Sequence, residues 1–225
     1  MPELAYAEAG QGYPLVLLHG NGESKEYFSA QMAPFSLIRH VYAVDTRGHG
    51  RSPRGEGPFT LTRFAEDLEK FRTAHGIETM DLLGFSDGGN IAMLYALAHP
   101  ERVSRLILNG ANLDPSGVKR SVQWPVELGY SIASWFAGRN PGAKANAEML
   151  GLMVNEPHIA AADLAKLTMP VLVIAGTKDM IRDDHTRAIA AALPDGTLAI
   201  LPGDHFVAAK NPEVFNRTVL DFLQG

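Results

Sequence analysis

Cysteine is absent from all 225 residues, which excludes disulfides, thiolate-ligated zinc, iron–sulfur clusters and thiol catalysis together. Basic clusters are missing too: 20 Lys and Arg stand against 25 Asp and Glu, for a formal net charge of −5, and no run of Lys or Arg exceeds a pair. That leaves nothing to grip a phosphate backbone, so no nucleic-acid partner is expected. Long apolar runs are lacking as well. The longest, Ile91 to Ala98, is far too short to cross a bilayer, and the opening MPELAYAEAG has neither a basic stretch nor an apolar core of the secretory kind. The expectation is a cytoplasmic chain with no membrane partner. At this length, with 46% hydrophobic residues, one ordinary globular domain can bury a sizeable core.

What the sequence does contain is a set of short apolar runs: Leu15–Leu18, Val41–Asp45, Met80–Gly84, Leu106–Asn109, Val171–Ala175 and Thr197–Leu201. They do not alternate polar with apolar, which is the signature of strands buried on both faces of a parallel sheet. Leu61–His75, Asn90–His99 and His185–Leu193 carry helical spacing between them, with Pro100, Pro194 and Gly196 at the joins. This alternation predicts an α/β fold with a doubly wound, mostly parallel sheet. Leu4–Ala9, followed by Gly10 and Gly12, reads as a further strand joined by a hairpin turn.

The rhythm breaks between Asn112 and Thr168, where Val126–Ala137, Ala145–Val154 and Ala160–Leu167 are helical in pattern and no strand is evident. A crossover needs only a dozen residues or so, and a helical cap at 112–168 is therefore expected on a core of 1–111 and 169–225. Both tryptophans, Trp124 and Trp135, lie in the cap. They and Phe206 are the candidate substrate-binding residues, although apolar side chains at helical spacing more often serve to pack helices together.

The chemistry starts at Gly84-Phe85-Ser86-Asp87-Gly88, directly after the Met80–Gly84 run and before a helix. A G-x-S-x-G pattern arises by chance about 0.1 times in a chain of this composition. A serine on a sharp strand-to-helix turn needs small residues two places before and after it, and Gly84 and Gly88 supply them. Ser86 is the candidate nucleophile. Its hydroxyl needs a base, and the base needs an acid to fix its tautomer. Of eight histidines, His205 stands in a loop after the last strand, at the same carboxyl edge of the sheet as Ser86. Asp179 reaches that edge after Val171–Ala175, with Asp114 and Asp183 as competitors for its role. The backbone N–H groups of Asp87 and of Asn21, in His19-Gly20-Asn21-Gly22, are the candidate oxyanion donors.

These motifs, with Asp45-Thr46-Arg47-Gly48-His49-Gly50-Arg51-Ser52 and His99-Pro100-Glu101-Arg102-Val103, resemble the α/β-hydrolase superfamily, in its serine hydrolase and esterase branch, over nearly the whole chain. The resemblance implies eight strands, helices on both faces, a variable cap and neither metal nor organic cofactor. The short amino terminus looks like the loss of the first family strand. Relatives of dehalogenase and epoxide-hydrolase type use Asp where this chain has Ser86, so hydrolysis of a small-molecule carboxylic ester is the expected reaction. The Ser-Asp-Gly-Gly elbow is similar to that of biphenyl-hydrolase-like enzymes, and an Asp87 facing the pocket would instead select aminoacyl esters or amides carrying a cationic group. Otherwise its side chain caps the following helix or bonds to a neighbouring loop, and beside a developing oxyanion it must be turned away or neutralised by a base such as Arg47 or Arg51. The rival reading is a non-enzymatic or slow-turnover receptor for a small ligand on the same fold.

Overall fold

The computed structural model describes residues 3–225. Seven strands form one sheet: β1 (Tyr6–Ala9), β2 (Pro14–Leu18), β3 (His40–Val44), β4 (Met80–Phe85), β5 (Val103–Asn109), β6 (Val171–Lys178) and β7 (Gly196–Asp204). Their order is β1-β3-β2-β4-β5-β6-β7, parallel throughout except for the antiparallel β1–β3 pair. The helices are α1 (Ser29–Ser36), α2 (Leu61–Ala74), α3 (Asp87–Ala98), α4 (Arg120–Phe136), α5 (Pro141–Asn155), α6 (Asp183–Ala192), the single turn α7 (Val207–Lys210) and α8 (Pro212–Gln224).

Successive strand residues point to opposite faces, and both faces are covered. Along β2, Val16 and Leu18 join a core that includes Phe64 and Leu68 of α2 and Ile91 of α3. Leu15 and Leu17 face a second core with Phe35 of α1 and Phe215, Val219 and Leu223 of α8. The unbroken apolar runs are thus two alternating patterns superimposed, as a doubly covered parallel sheet requires.

The hairpin expected between β1 and β2 does not form. Both edges of β2 are occupied by parallel neighbours, β3 and β4, so β1 adds to the outer edge of β3, pairing Tyr6 with Val44 and Ala9 with Val41. Residues 112–168 contribute no strand to the sheet. They hold α4, α5 and a short 3₁₀ segment, Ala161–Lys166, where the sequence pattern predicts a full helix. Leu152 and Leu164 anchor this stretch in the first core.

Candidate active site

The β4–α3 turn sets the geometry. Ser86 is the one non-glycine residue with positive φ among those described, at φ 53°, ψ −121°. Such a conformation is worth about 1–3 kcal/mol of strain and persists only when its surroundings impose it. Here they do: a Cβ on Gly84 would lie 2.2 Å from the Gly88 carbonyl oxygen, and one on Gly88 would lie 2.1 Å from that of Leu18. No side chain fits between β2, β4 and α3 at those positions. Gly88→Ala should therefore cost more than about 3 kcal/mol, because backbone rather than a movable side chain must yield. Denaturant melts of the variant check this; a loss under about 1 kcal/mol would show the turn to be far more pliant than the contacts imply.

At the same sheet edge, His205 follows β7 and Asp179 follows β6. The Nε2 atom of His205 lies 3.0 Å from Ser86 Oγ, and its Nδ1 lies 2.7 Å from Asp179 Oδ1. Asp179 also accepts from the Ile181 N–H at 3.0 Å and, through Oδ2, from the Gly176 N–H at 3.1 Å. Burial alone would raise its pKa, but the His205 bond and charge, together with those two N–H donors, hold it below the ordinary aspartate value. An ionised Asp179 requires a donating Nδ1–H, which leaves Nε2 free to accept from the serine hydroxyl. Room for the imidazole comes from Gly110, at φ 63°, where a Cβ would lie 2.7 Å from the ring. The competing acids sit elsewhere. Asp114 accepts from the Ser116 N–H and caps the turn Pro115–Gly117, while Asp183 pairs with Arg187 on the surface.

Residues besides Ser86, His205 and Asp179 hold the site in place. His19 is buried, with Nδ1 donating to the Gly20 carbonyl at 2.8 Å and Nε2 accepting from the Thr46 N–H at 3.0 Å. Burial pushes its pKa down to about 4, so it stays neutral as that two-sided tie demands. It fixes the loop carrying Asn21 against the Asp45–Ser52 loop. That second loop is held by the Asp45 carboxylate, which takes the Lys25 and Arg51 N–H groups, and by the buried Arg47–Asp67 pair at 2.6 Å. The Asn21 side chain donates to the Met149 carbonyl of α5 at 2.7 Å, drawing residues 112–168 over the loop. In the first turn of α3, the Asp87 N–H has no intrahelical carbonyl to face.

Asp87 is buried. Its Oδ1 lies 3.3 Å from the donating Asn90 amide, and its Oδ2 is buried with no hydrogen-bond partner. Burial, reinforced by the Glu156 charge, pushes its pKa up to about 7. Neither arginine suggested by the sequence neutralises it: Arg47 belongs to Asp67, and Arg51 meets Asp45 through its backbone. Phe206 reaches the site, its ring centroid 5.5 Å from that of His205, with Phe85 at 4.9 Å on the same imidazole. The two tryptophans do not follow the expectation. Both are exposed on α4, and the only aromatic rings against His205 among the described residues are Phe85 and Phe206. Helical spacing reveals an apolar stripe but not which way the stripe faces.

The family model described as alpha/beta hydrolase fold matches residues 13–148. A protein of Caulobacter sp. (strain K31) that carries the name of the carbamate hydrolase RutD is 30% identical, over 94% of this chain and 90% of its own length. A 2-hydroxymuconate semialdehyde hydrolase of Pseudomonas putida is also 30% identical, over 76% of this chain and 58% of that protein. The crystal structure of a hydrolase from Pseudomonas aeruginosa PA01 superimposes with a TM-score of 0.81 at 27% identity, covering 100% of this chain and 95% of that one. This chain belongs to the alpha/beta hydrolase fold family and is a hydrolase.

Proposed function

We propose that the chain hydrolyses small carboxylic esters through an acyl-enzyme on Ser86. The observation that carries this reading is the hydrogen-bonded series Ser86, His205, Asp179, at 3.0 and 2.7 Å, on a strained turn at the carboxyl edge of the sheet. Ser86 Oγ forms a bond to the acyl carbon while His205 Nε2 takes its proton. The oxyanion then accepts from the backbone N–H groups of Asn21 and Asp87. His205 returns the proton to the departing alkoxide, and the alcohol leaves. Water attacks the acyl-enzyme, losing a proton to His205, and the acid departs as Ser86 recovers its hydrogen. Asp179 keeps the imidazole in the one tautomer that can serve both halves. Residues 112–168 act as a cap on the core of 3–111 and 169–225, and Phe206 lines the substrate side of His205.

The relatives' names speak of a carbamate and a semialdehyde, both of which carry a carbonyl carbon open to the same attack. An ester is favoured because an alkoxide needs less help to leave than an amine or a carbanion. The first test is turnover of a panel of p-nitrophenyl and aminoacyl esters with substrate in large excess. Release limited to one equivalent of product would indicate a receptor rather than an enzyme.

A second reading, selection of aminoacyl esters, is favoured by one observation: the buried, unpartnered Oδ2 of Asp87 beside the nucleophile. Asp87→Asn separates the cases. If Asp87 binds an ammonium group, aminoacyl-ester hydrolysis falls at least about tenfold, as loss of one charged contact implies, while a neutral ester holds or gains. Equal changes on both esters would make Asp87 structural. The same variant tests the electrostatics of burial. Unfolded, Asp87 titrates at the ordinary aspartate value of 3.8, whereas burial raises it to about 7 in the folded chain. Between those values the native state binds the extra proton, so this residue's contribution to stability declines as pH rises through the window and stays low above it. Asp87→Asn should therefore be more stable than the parent at pH about 8, by at most about 4 kcal/mol, with no such gain near pH about 4. Melts at the two pH values decide it.

A further inference from the structure

Glu23 Oε2 and the Tyr27 hydroxyl are buried with no hydrogen-bond partner. Both belong to the segment that follows the oxyanion loop, and the backbone brings both to the triad. Gly22, at φ 74°, is the third residue of a turn that closes with the Glu23 N–H donating to the Gly20 carbonyl at 3.3 Å. Gly20 in turn presses on the nucleophile: a Cβ there would lie 3.2 Å from Ser86 Cβ and 3.0 Å from the Phe85 ring. Glu23 is thus one tight turn away from Ser86. Tyr27, in the 3₁₀ segment Lys25–Phe28, lies flat on Phe85, with ring centroids 4.3 Å apart and planes within 3°, and Phe85 meets the His205 ring at 4.9 Å.

Electrostatics puts the two groups in the same surroundings. Burial pushes the Glu23 carboxyl up to about 7, while the Gly20 N–H and the His205 charge draw it down. Burial also raises Tyr27, and the charges of Glu23, Asp179 and Asp204 raise it further. The cation nearest Glu23 in sequence is taken, since Lys25 pairs with Asp45 at 2.7 Å and with Glu26 at 3.2 Å. Buried polar groups left unpaired are costly, and at the edge of a reaction site they call for a partner that arrives with the reaction.

The hydrolytic water fits that description bond by bond. In the second half of the reaction it uses one lone pair to form the bond to the acyl carbon and gives one hydrogen to His205 Nε2. One hydrogen and one lone pair remain. An ionised Glu23 can only accept and a tyrosine hydroxyl can donate, so the pair supplies what is missing. We propose that Glu23 and Tyr27 hold the water that deacylates Ser86, Glu23 Oε2 accepting its second hydrogen and the Tyr27 hydroxyl donating to its free lone pair. This seat rests on the acyl-enzyme proposed above. Neither group changes its own protonation: the bond from the acyl carbon to Ser86 Oγ breaks as His205 returns the proton to Oγ, and the acid leaves. The alcohol that departs in the first half carries a carbon where water carries its second hydrogen, so acylation has no use for Glu23.

Methanol is the discriminating probe, because it also attacks an acyl-enzyme but has no second hydrogen to give. The assay uses p-nitrophenyl butyrate at pH about 8, where Glu23 is ionised. Glu23→Leu should acylate Ser86 within about twofold of the parent rate in single-turnover stopped flow, yet hydrolyse the butyryl-enzyme at least about tenfold more slowly, as loss of a hydrogen bond to a charged group implies. In dilute methanol, its ratio of methyl butyrate to butyrate should rise at least about tenfold. Tyr27→Phe keeps the stacked ring, and should slow attack by water and by methanol together by about threefold or more, with the ratio at the parent value. Both variants should keep the parent's melting transition. An unchanged ratio in Glu23→Leu would overturn the proposal, as would equal slowing of acylation and hydrolysis, or the same rise in ratio in Tyr27→Phe. Should Glu23→Leu not fold, Tyr27→Phe decides alone: slower hydrolysis at a constant ratio supports the seat, and parent rates overturn it. Mass spectrometry of the quenched enzyme separates the two levels. A butyryl group on Ser86 with an unchanged ratio removes only the water seat, whereas no butyryl-enzyme in the parent or either variant removes the acyl-enzyme with it.

Discussion

Ser86→Ala should leave a folded chain whose kcat/KM on its best ester is lower by at least about 10⁴-fold, or about 5.5 kcal/mol of lost transition-state stabilisation. The large effect follows from what the hydroxyl alone supplies. Without Oγ no acyl-enzyme forms, and His205, 3.0 Å away, can only assist water from a position set for serine. The fold should survive because nothing else depends on that atom: its one hydrogen bond is to His205, while the turn is held by the Ser86 N–H donating to the Asn109 carbonyl at 2.8 Å and by the closeness of Gly84 and Gly88. Alanine meets the same positive-φ strain as serine, so melting should move little. A companion Ser86→Gly, equally inactive, should be the more stable of the two by roughly 1 kcal/mol, since glycine adopts φ 53° without penalty. Steady-state rates and melts of the purified variants check both statements. Near-native turnover in Ser86→Ala would end the acyl-enzyme reading, and a Ser86→Gly variant less stable than Ser86→Ala would show that the turn carries no strain.

The fold could be read from the sequence wherever burial leaves a local mark. Strands β2 to β6 announce themselves through apolar runs that burial on both faces leaves largely unbroken, the edge strand β7 through the shorter run Leu198–Leu201, and α2 and α3 because their packing faces repeat at helical spacing. Other features depend on distant partners. The place of β1 is decided by which edges β2 has already given away. Helix α1 carries Pro34 and a buried Gln31, whose amide donates to the Ala208 carbonyl at 2.8 Å and to Asn216 at 2.9 Å, so its inner face does not look apolar. At the site, Ser86, Asp179 and His205 can be singled out because each follows a strand at one sheet edge. His19 cannot, since its two ties run to Gly20 and Thr46 and a histidine after a strand has many uses. Trp124 and Trp135 fail in the opposite way. Their spacing is that of a packing stripe, and only the three-dimensional structure tells that the stripe faces outward.

Asp179→Asn should give a folded protein slower by about 10⁴-fold, while Asp114→Asn and Asp183→Asn stay near the parent rate. Three donors converge on the Asp179 carboxylate, His205 Nδ1–H at 2.7 Å, Ile181 N–H at 3.0 Å and Gly176 N–H at 3.1 Å. A carboxylate offers acceptor lone pairs to all three, whereas an amide offers one oxygen and two hydrogens. His205 and Ile181 share Oδ1 while Gly176 uses Oδ2, so an asparagine oxygen kept by Gly176 turns the NH₂ group toward the imidazole. In that orientation the imidazole exchanges tautomers, so that Nδ1 accepts from the amide and Nε2 carries the hydrogen. A protonated Nε2 points its hydrogen at Ser86 Oγ and cannot take the serine proton, which is the source of the loss. The pH dependence of stability supplies an independent check with a fixed sign. The folded pKa of Asp179 lies below its unfolded value, so its stabilising contribution is present above the unfolded value and is lost as pH falls through the folded one. Asparagine does not titrate, so the variant should lose less stability than the parent on acidification into that range. Full activity in Asp179→Asn with a dead Asp114→Asn would move the acid to the end of β5 and require His205 to turn away from the position in which Gly110 makes room for it.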